Sequence, residues 1–351
     1  MENQNIFKYN NKLVSLVTPG WNGKTFVHRL LNSILEQSYR PLEYIYVDDG
    51  STDGTKDIVL SYQDKFEVAN INFKFIQQEN GGICEALMTG FQHVTGEYMS
   101  CPEYDDILFP NSIEAKVKYL EEHDDCAVVV ADAWIVDEDN VNQRKELLSH
   151  KNPNRFDKNH FYQCLMSNTI FNAACYMVKM KAFDSTHPNR KILSSRSAPN
   201  QQILLPLYYH YNRGFLDYPL SLYMIRNGSL SNSNHSYEKK ISALKEYYRI
   251  IMGTLQQINM HSNDLELYSK RVDINFNKDY IELGFKYNNK SLFLNAYKYL
   301  EQEQELNSTH HFYYSIILNP YKYKLYSLYK KLKKNASTQI QYLFKYFNLK
   351  I

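Results

Sequence analysis

LEYIYVDDGSTDGT, residues 42–55, decides the fold. LEYIYV is a run of aliphatic and aromatic residues long enough for one strand, and it carries the apolar density of a strand covered on both faces. DDGSTDGT is turn chemistry, with Ser51 or Thr52 placed to cap a helix that starts near Lys56. A buried strand that ends in a polar turn and enters a helix is the first half of a βαβ unit. The same grammar repeats on either side. LVSLVT (13–18) is a strand closed by Pro19 and Gly20, and residues 24–38 place Phe26, Leu30, Leu31, Ile34 and Leu35 at helical spacing. NFKFIQQ (72–78) is a third strand, residues 81–94 a helix, and GEYMSC (96–101) a fourth strand. Strands alternating with helices predict an α/β fold with a mixed, mostly parallel, Rossmann-like sheet flanked by helices.

In such sheets ligands bind beyond the carboxyl ends of the strands. PGWN (19–22), DDGS (48–51), ENGG (79–82) and PEYDD (102–106) all fall there. The last places Glu103, Asp105 and Asp106 within four positions. Close carboxylates repel, so the cluster is either a solvated turn or a cation site. Beyond about Asn234 the pattern becomes helical, and no acid follows Glu305. The chain is therefore read as 1–234, the α/β domain, and 235–351, a C-terminal helical region.

Bulk properties exclude several classes. The 351 residues carry a formal net charge of +2, which gives no field for nucleic acid. Five cysteines without a CxxC pair fit neither a disulfide framework nor a zinc site, and they suit a reducing compartment. The N-terminus is polar with no apolar core, so no signal peptide is expected, and the longest apolar run, CAVVVADAWIV (126–136), is too short to span a bilayer. No G-x-G-x-x-G follows the first strand, against a dinucleotide oxidoreductase. A two-metal phosphatase needs more acids or histidines than these motifs supply.

VSLVTPGWN, LLNSILEQSY, LEYIYVDDGSTDGT, QQENGG, TGEY and PEYDDILFP occur in the order and spacing found in family 2 glycosyltransferases. The chain resembles that family over roughly its first two-thirds. The resemblance implies a GT-A fold and an inverting transfer of sugar from a nucleotide-diphosphate sugar, uridine by default, to a saccharide or lipid-linked glycan hydroxyl. It also implies a setting in bacterial surface polysaccharide or glycoconjugate synthesis, which the 31 tyrosines and abundant Asn and Lys of an AT-rich coding bias suit. A divalent cation, Mn²⁺ or Mg²⁺, would neutralise the diphosphate leaving group, and hard oxygen ligands suit it. By the family's D-x-D pattern Asp105 is the first metal ligand, Glu103 stands where Asp is usual, and Asp106 helps orient the site. Pro19 and Trp21 contact the nucleoside and Asp49 the base, while Asp48 is a ligand contact or a turn residue. Gly81 and Gly82 either let the backbone approach the ligand or form a plain loop. Arg226, opening RNGSLS (226–231), pairs with phosphate or is a surface arginine.

The family's carboxylate pair ahead of a helix would supply the general base, but Pro199 and Asn200 stand there. Asn200 orients a hydroxyl but cannot take its proton. Asp184, His187 and Asp217 are the substitutes, none compelling from spacing. A catalytically silent nucleotide-sugar-binding relative or partner subunit is the alternative reading. The basic tail fits peripheral contact with an anionic membrane, or a packed bundle with a solvated lysine face. A cytoplasmic protein, at the inner face of the plasma membrane if the tail binds lipid, is expected.

Overall fold

The computed structural model describes residues 12–170, 172–226 and 236–335. β1 (Val14–Gly20), β2 (Leu42–Asp48), β3 (Ile71–Gln77) and β4 (Tyr98–Ser100) form a parallel half-sheet in the order β3-β2-β1-β4. Pro19 and Gly20 lie inside β1 rather than closing it, since β1 keeps its register with β2 through Gly20 opposite Asp48. β1 and β2 are buried at every position, which is why both read as largely apolar runs, and the polar Ser15 and Glu43 within them hydrogen-bond to each other. The helices Val27–Leu35, Thr55–Leu60, Gln63–Val68 and Ile83–Phe91 connect these strands.

The second half of the sheet is mixed. β5 (Ile107–Leu108), β6 (Cys126–Asp137), β7 (Glu146–Leu147), β8 (Tyr176–Lys179) and β9 (Asn212–Ile225) extend the order through β8-β6-β9-β5, with β7 beside β6. β8 is antiparallel to β4 and β6, while β6 and β9 run parallel. β5 matters most for the site. It pairs Ile107 with Leu222 and Leu108 with Ser221, so residues 101–106 form a loop pinned at both ends, by β4 and by β5. Its two residues are too few to leave a periodic signal in sequence.

The described residues fall into two compact units, 12–226 with Glu246–Leu265, and 236–245 with 266–335. The first therefore takes in a stretch that the sequence reading placed in the helical region. Its core gathers Val14, Leu16, Leu30, Leu31, Tyr44, Tyr46, Phe66 and Val117. The second unit has its own core around Ile281, Phe285, Phe293, Leu300 and Ile316. There Gly284 lets the helices Ser262–Lys286 and Lys290–Gln302 approach closely, since a Cβ at Gly284 would lie 2.8 Å from the Phe293 nitrogen.

Candidate functional site

The loops beyond β1 and β2 are joined by side chains. Ser51 Oγ accepts from the Asn22 amide at 3.0 Å, and Asn22 Oδ1 accepts from the Thr52 amide at 2.9 Å. Asp53 accepts from the Lys24 amide at 3.0 Å and from the Thr55 amide and hydroxyl. Burial opposes ionisation of Asp53, but these hydrogen bonds outweigh it and hold its pKa below the usual carboxylate range. Ser51 and Thr52 do not cap the following helix, as the sequence suggested. The N-cap is Gly54 in a left-handed conformation, with Asp53 bridging to Thr55.

Asp49 organises the third loop. Its Oδ1 accepts from the Gly81 amide at 2.9 Å and from Gln78 Nε2 at 2.8 Å, and its Oδ2 from the Gly82 amide at 2.8 Å. Both oxygens of the residue read as the base contact thus hold residues 78–82 in place. Asp48, read as ligand contact or turn residue, ends β2 fully buried. Its Oδ2 accepts from Gln77 Nε2 at 3.1 Å, while Oδ1 finds no hydrogen-bond partner among the described residues. A buried carboxylate oxygen without a donor is costly in a ligand-free rim, and it marks Asp48 as the freer acceptor of the pair. Trp21 lies 51% exposed beyond β1 and presents an aromatic face close in sequence to Pro19.

The acidic loop packs against these turns. Thr18 Oγ1 donates to the Pro102 carbonyl at 2.9 Å, and a Cβ on Gly23 would lie 2.7 Å from the Tyr104 ring. Within the loop Asp106 turns inward and accepts from the Glu103 amide at 2.8 Å. Asp105 pairs with Arg226 Nε at 2.6 Å. The same guanidinium donates to the Tyr104 hydroxyl at 3.1 Å and lies over the rings of Phe26 and Tyr104. The sequence proposed Arg226 for phosphate; the structure sets it beside the first carboxylate of the acidic pair. The remainder of RNGSLS, 227–231, lies outside the described residues.

Burial pushes the Glu103 carboxyl up to about 7, the Asp105 charge adds to the rise, and Arg226 opposes it. Burial also raises Asp105, with Arg226 offsetting part of the effect, and raises Asp106 well above its usual range with the help of both neighbours. Glu103 and Asp105 thus share the Arg226 guanidinium, while the cation acting on Asp106 is Lys116. Below them Lys116 is fully buried, donating to the Ala174 carbonyl at 2.6 Å and to Ser112 Oγ at 3.2 Å.

Does this donor set fit a divalent cation? Among the described residues no group of three Asp, Glu, His or Cys side chains converges on one point. Asp106 is committed to the loop, so the three-residue set of the sequence reading reduces to Glu103 and Asp105. Two hard carboxylate donors fit a cation that takes its other ligands from phosphate and water.

The base position is also defined. Asn200 opens the helix Pro199–His210, and its Oδ1 accepts from the Tyr176 hydroxyl at 2.9 Å. Tyr176 is fully buried, which pushes its phenol well up, and the Glu103 charge contributes to that rise. Asn200 is therefore brought to the acidic loop's neighbourhood through one tyrosine. The loop ahead of it touches ENGG, with Arg196 Nη2 donating to the Asn80 carbonyl at 3.3 Å. None of the three substitutes is placed as a free base. Asp184 pairs with Arg190 at 2.8 Å, and Asp217, inside β9, with Arg155 at 3.6 Å. His187 is buried, its ring nitrogens engaged with Thr186 and the Gln202 carbonyl. Tyr176 and Tyr223, whose phenols are raised by burial and by the acidic loop's carboxylates, escaped the sequence reading, because nothing separates them from the other tyrosines until the strands are paired.

Residues 15–185 match the model of Glycosyl transferase family 2. These residues, just under half of the chain, carry its likeness to that family. An uncharacterized glycosyltransferase of Rickettsia prowazekii is 37% identical over 127 residues, 36% of this chain. The match spans only 37% of the Rickettsia protein's own length. TuaG of Bacillus subtilis, named for teichuronic acid biosynthesis, is 31% identical over 110 residues, 31% of this chain and 42% of its own. Among solved structures, S. aureus TarS in complex with UDP-GlcNAc superposes with a TM-score of 0.57 at 18% identity, over 81% of this chain and 79% of that one. The mannosyltransferase PcManGT of Pyrobaculum calidifontis, in complex with GDP-Man and Mn²⁺, gives 0.53 at 14% identity over 92% and 89%. At these identities the likeness shows the fold, which is GT-A. The expected fold and, over residues 15–185, the expected family resemblance are thus both found.

Proposed function

We propose that this family 2 chain transfers a sugar from a nucleotide-diphosphate sugar to a hydroxyl of a saccharide or lipid-linked glycan, with inversion at the anomeric carbon. The observation that carries this reading is the rim where PGWN and DDGS interlock beside a desolvated acidic loop with its own arginine. The nucleoside lies against Pro19 and the Trp21 face, with Asp48 Oδ1 as an acceptor for a base or ribose donor. Asp49 keeps residues 78–82 in the shape that bounds this pocket. Arg226 holds Asp105 and exchanges it for the diphosphate, two anions that one guanidinium fork can serve in turn. Glu103 and Asp105 would hold Mn²⁺ or Mg²⁺, which when bound neutralises charge developing on the diphosphate leaving group. The relative that binds GDP-Man with Mn²⁺ and the one that binds UDP-GlcNAc support donor and cation as classes. The teichuronic acid name of TuaG supports a setting in surface polysaccharide assembly. Five cysteines, all buried and unpaired, go with a reducing, cytoplasmic site of synthesis.

One observation favours a second reading, a donor-binding chain without turnover. Asn200 stands at the base position with its oxygen already engaged, and Asp184, His187 and Asp217 are committed elsewhere. Nucleotide release decides between the two. The protein is incubated with UDP- and GDP-sugars and a panel of glycan acceptors, with Mn²⁺ or EDTA, and the product's anomeric configuration is read by proton NMR. Release that needs metal and acceptor, with an inverted product, supports the transferase. Donor binding with no release across the panel supports the silent binder, and a retained configuration overturns the inverting mechanism.

A further inference from the structure

The helix Pro320–Asn335 is apolar on two opposite sides. One side packs: the Tyr323 hydroxyl donates to the Phe285 carbonyl at 2.9 Å, and the Tyr326 ring meets Phe285 edge-on at 5.3 Å. Among the described residues the other side does not. Tyr321, Leu325 and Leu328 are 82%, 59% and 54% exposed, and their i, i+4, i+7 spacing aligns them in one stripe. Leu318, 46% exposed just before the helix, extends it. A packed helix normally turns its solvent side polar, so this stripe is uncovered at a cost in hydration. Exposed Lys322 and Lys324 flank it, and every formally charged side chain after Glu305 is a lysine.

We propose that this outward face docks on an anionic lipid bilayer. The stripe supplies apolar side chains at the depth of the acyl boundary, and the lysines lie beside it, where their stems cover apolar surface and their heads reach lipid phosphates. A convex single-helix stripe offers no concave shape for a protein partner to read, whereas a bilayer with acidic headgroups meets the apolar and the basic feature at once. The contact is peripheral, because no described helix is long and apolar enough to cross a membrane. It calls on none of the donor-site residues, so its test stands apart from that of the transferase.

The experiment is co-sedimentation of the full chain with vesicles of phosphatidylcholine alone or with about one third phosphatidylglycerol. We expect binding only to the anionic vesicles, weakening with added salt. Leu325→Glu combined with Leu328→Glu changes two exposed side chains, so circular dichroism should be unchanged while vesicle binding falls more than about tenfold. Lys322→Glu with Lys324→Glu should weaken it too. Parent protein that ignores anionic vesicles overturns the proposal. So does a leucine variant that binds like the parent, or a parent dimer in light scattering that the leucine variant dissociates, which would make the stripe a self-interface.

Discussion

Glu103, Asp105 and Asp106 lie side by side because each has a different physical outlet. Asp106 accepts a backbone amide, Asp105 pairs with Arg226, and Glu103 is pushed toward the neutral form. Their clustering was legible in the sequence, but this division of labour was not, since Arg226 arrives from 121 positions later in the chain. The neighbouring Lys116 is a residue that sequence offered no reason to notice. Burial lowers its pKa from 10.5 to about 8. In that interval the unfolded chain binds a proton that the folded one has released, so this group's contribution to stability rises with pH from about 8 to about 10.5. Below pH 8 both states are charged, and the burial cost is present in full. We therefore expect the urea stability of the parent, relative to Lys116→Met, to climb across that window. A relative stability that stays flat or falls would show that Lys116 is not desolvated as the structure has it.

At the scale of elements, β1 and β2 could be read from their residues because a parallel strand buried at every position leaves a largely apolar signal. The strands that shape the acidic loop could not. β5 has two residues and β8 four, and their existence rests on pairing with β9, β4 and β6 rather than on local preference. The helix after DDGSTDGT was legible, its cap was not, because Asp53 bridges to Lys24 in another loop. Close packing between elements also produces testable requirements. Gly20 ends β1 against the ring of Tyr46, and a Cβ there would lie 1.9 Å from the tyrosine oxygen. Gly20→Ala should destabilise the protein by about 2 kcal/mol or more, measured by urea denaturation. Adding Tyr46→Phe should recover part of that loss by removing the nearest atom. An alanine variant as stable as the parent would mean that β1 and β2 pack less tightly than described.

For the whole molecule, the family signature covers residues 15–185, inside the α/β unit with its own core, and does not reach the helical unit with the second core. A ligand-binding rim has to keep a geometry, while a helical unit needs only apolar residues at helical spacing, which many sequences provide. The same reason makes donor chemistry more legible than acceptor chemistry. The claim that organises all of this is that the strand-end rim binds a nucleotide-diphosphate group together with a divalent cation. It is tested most directly by calorimetric titration of UDP and GDP into the protein, with Mn²⁺ and then with EDTA, in the parent and in Asp105→Ala. Saturable binding of one nucleotide that requires Mn²⁺ and is lost in Asp105→Ala, with the circular dichroism spectrum preserved, is the result we expect. Binding that is indifferent to both the metal and Asp105, or no binding of either nucleotide, would contradict it.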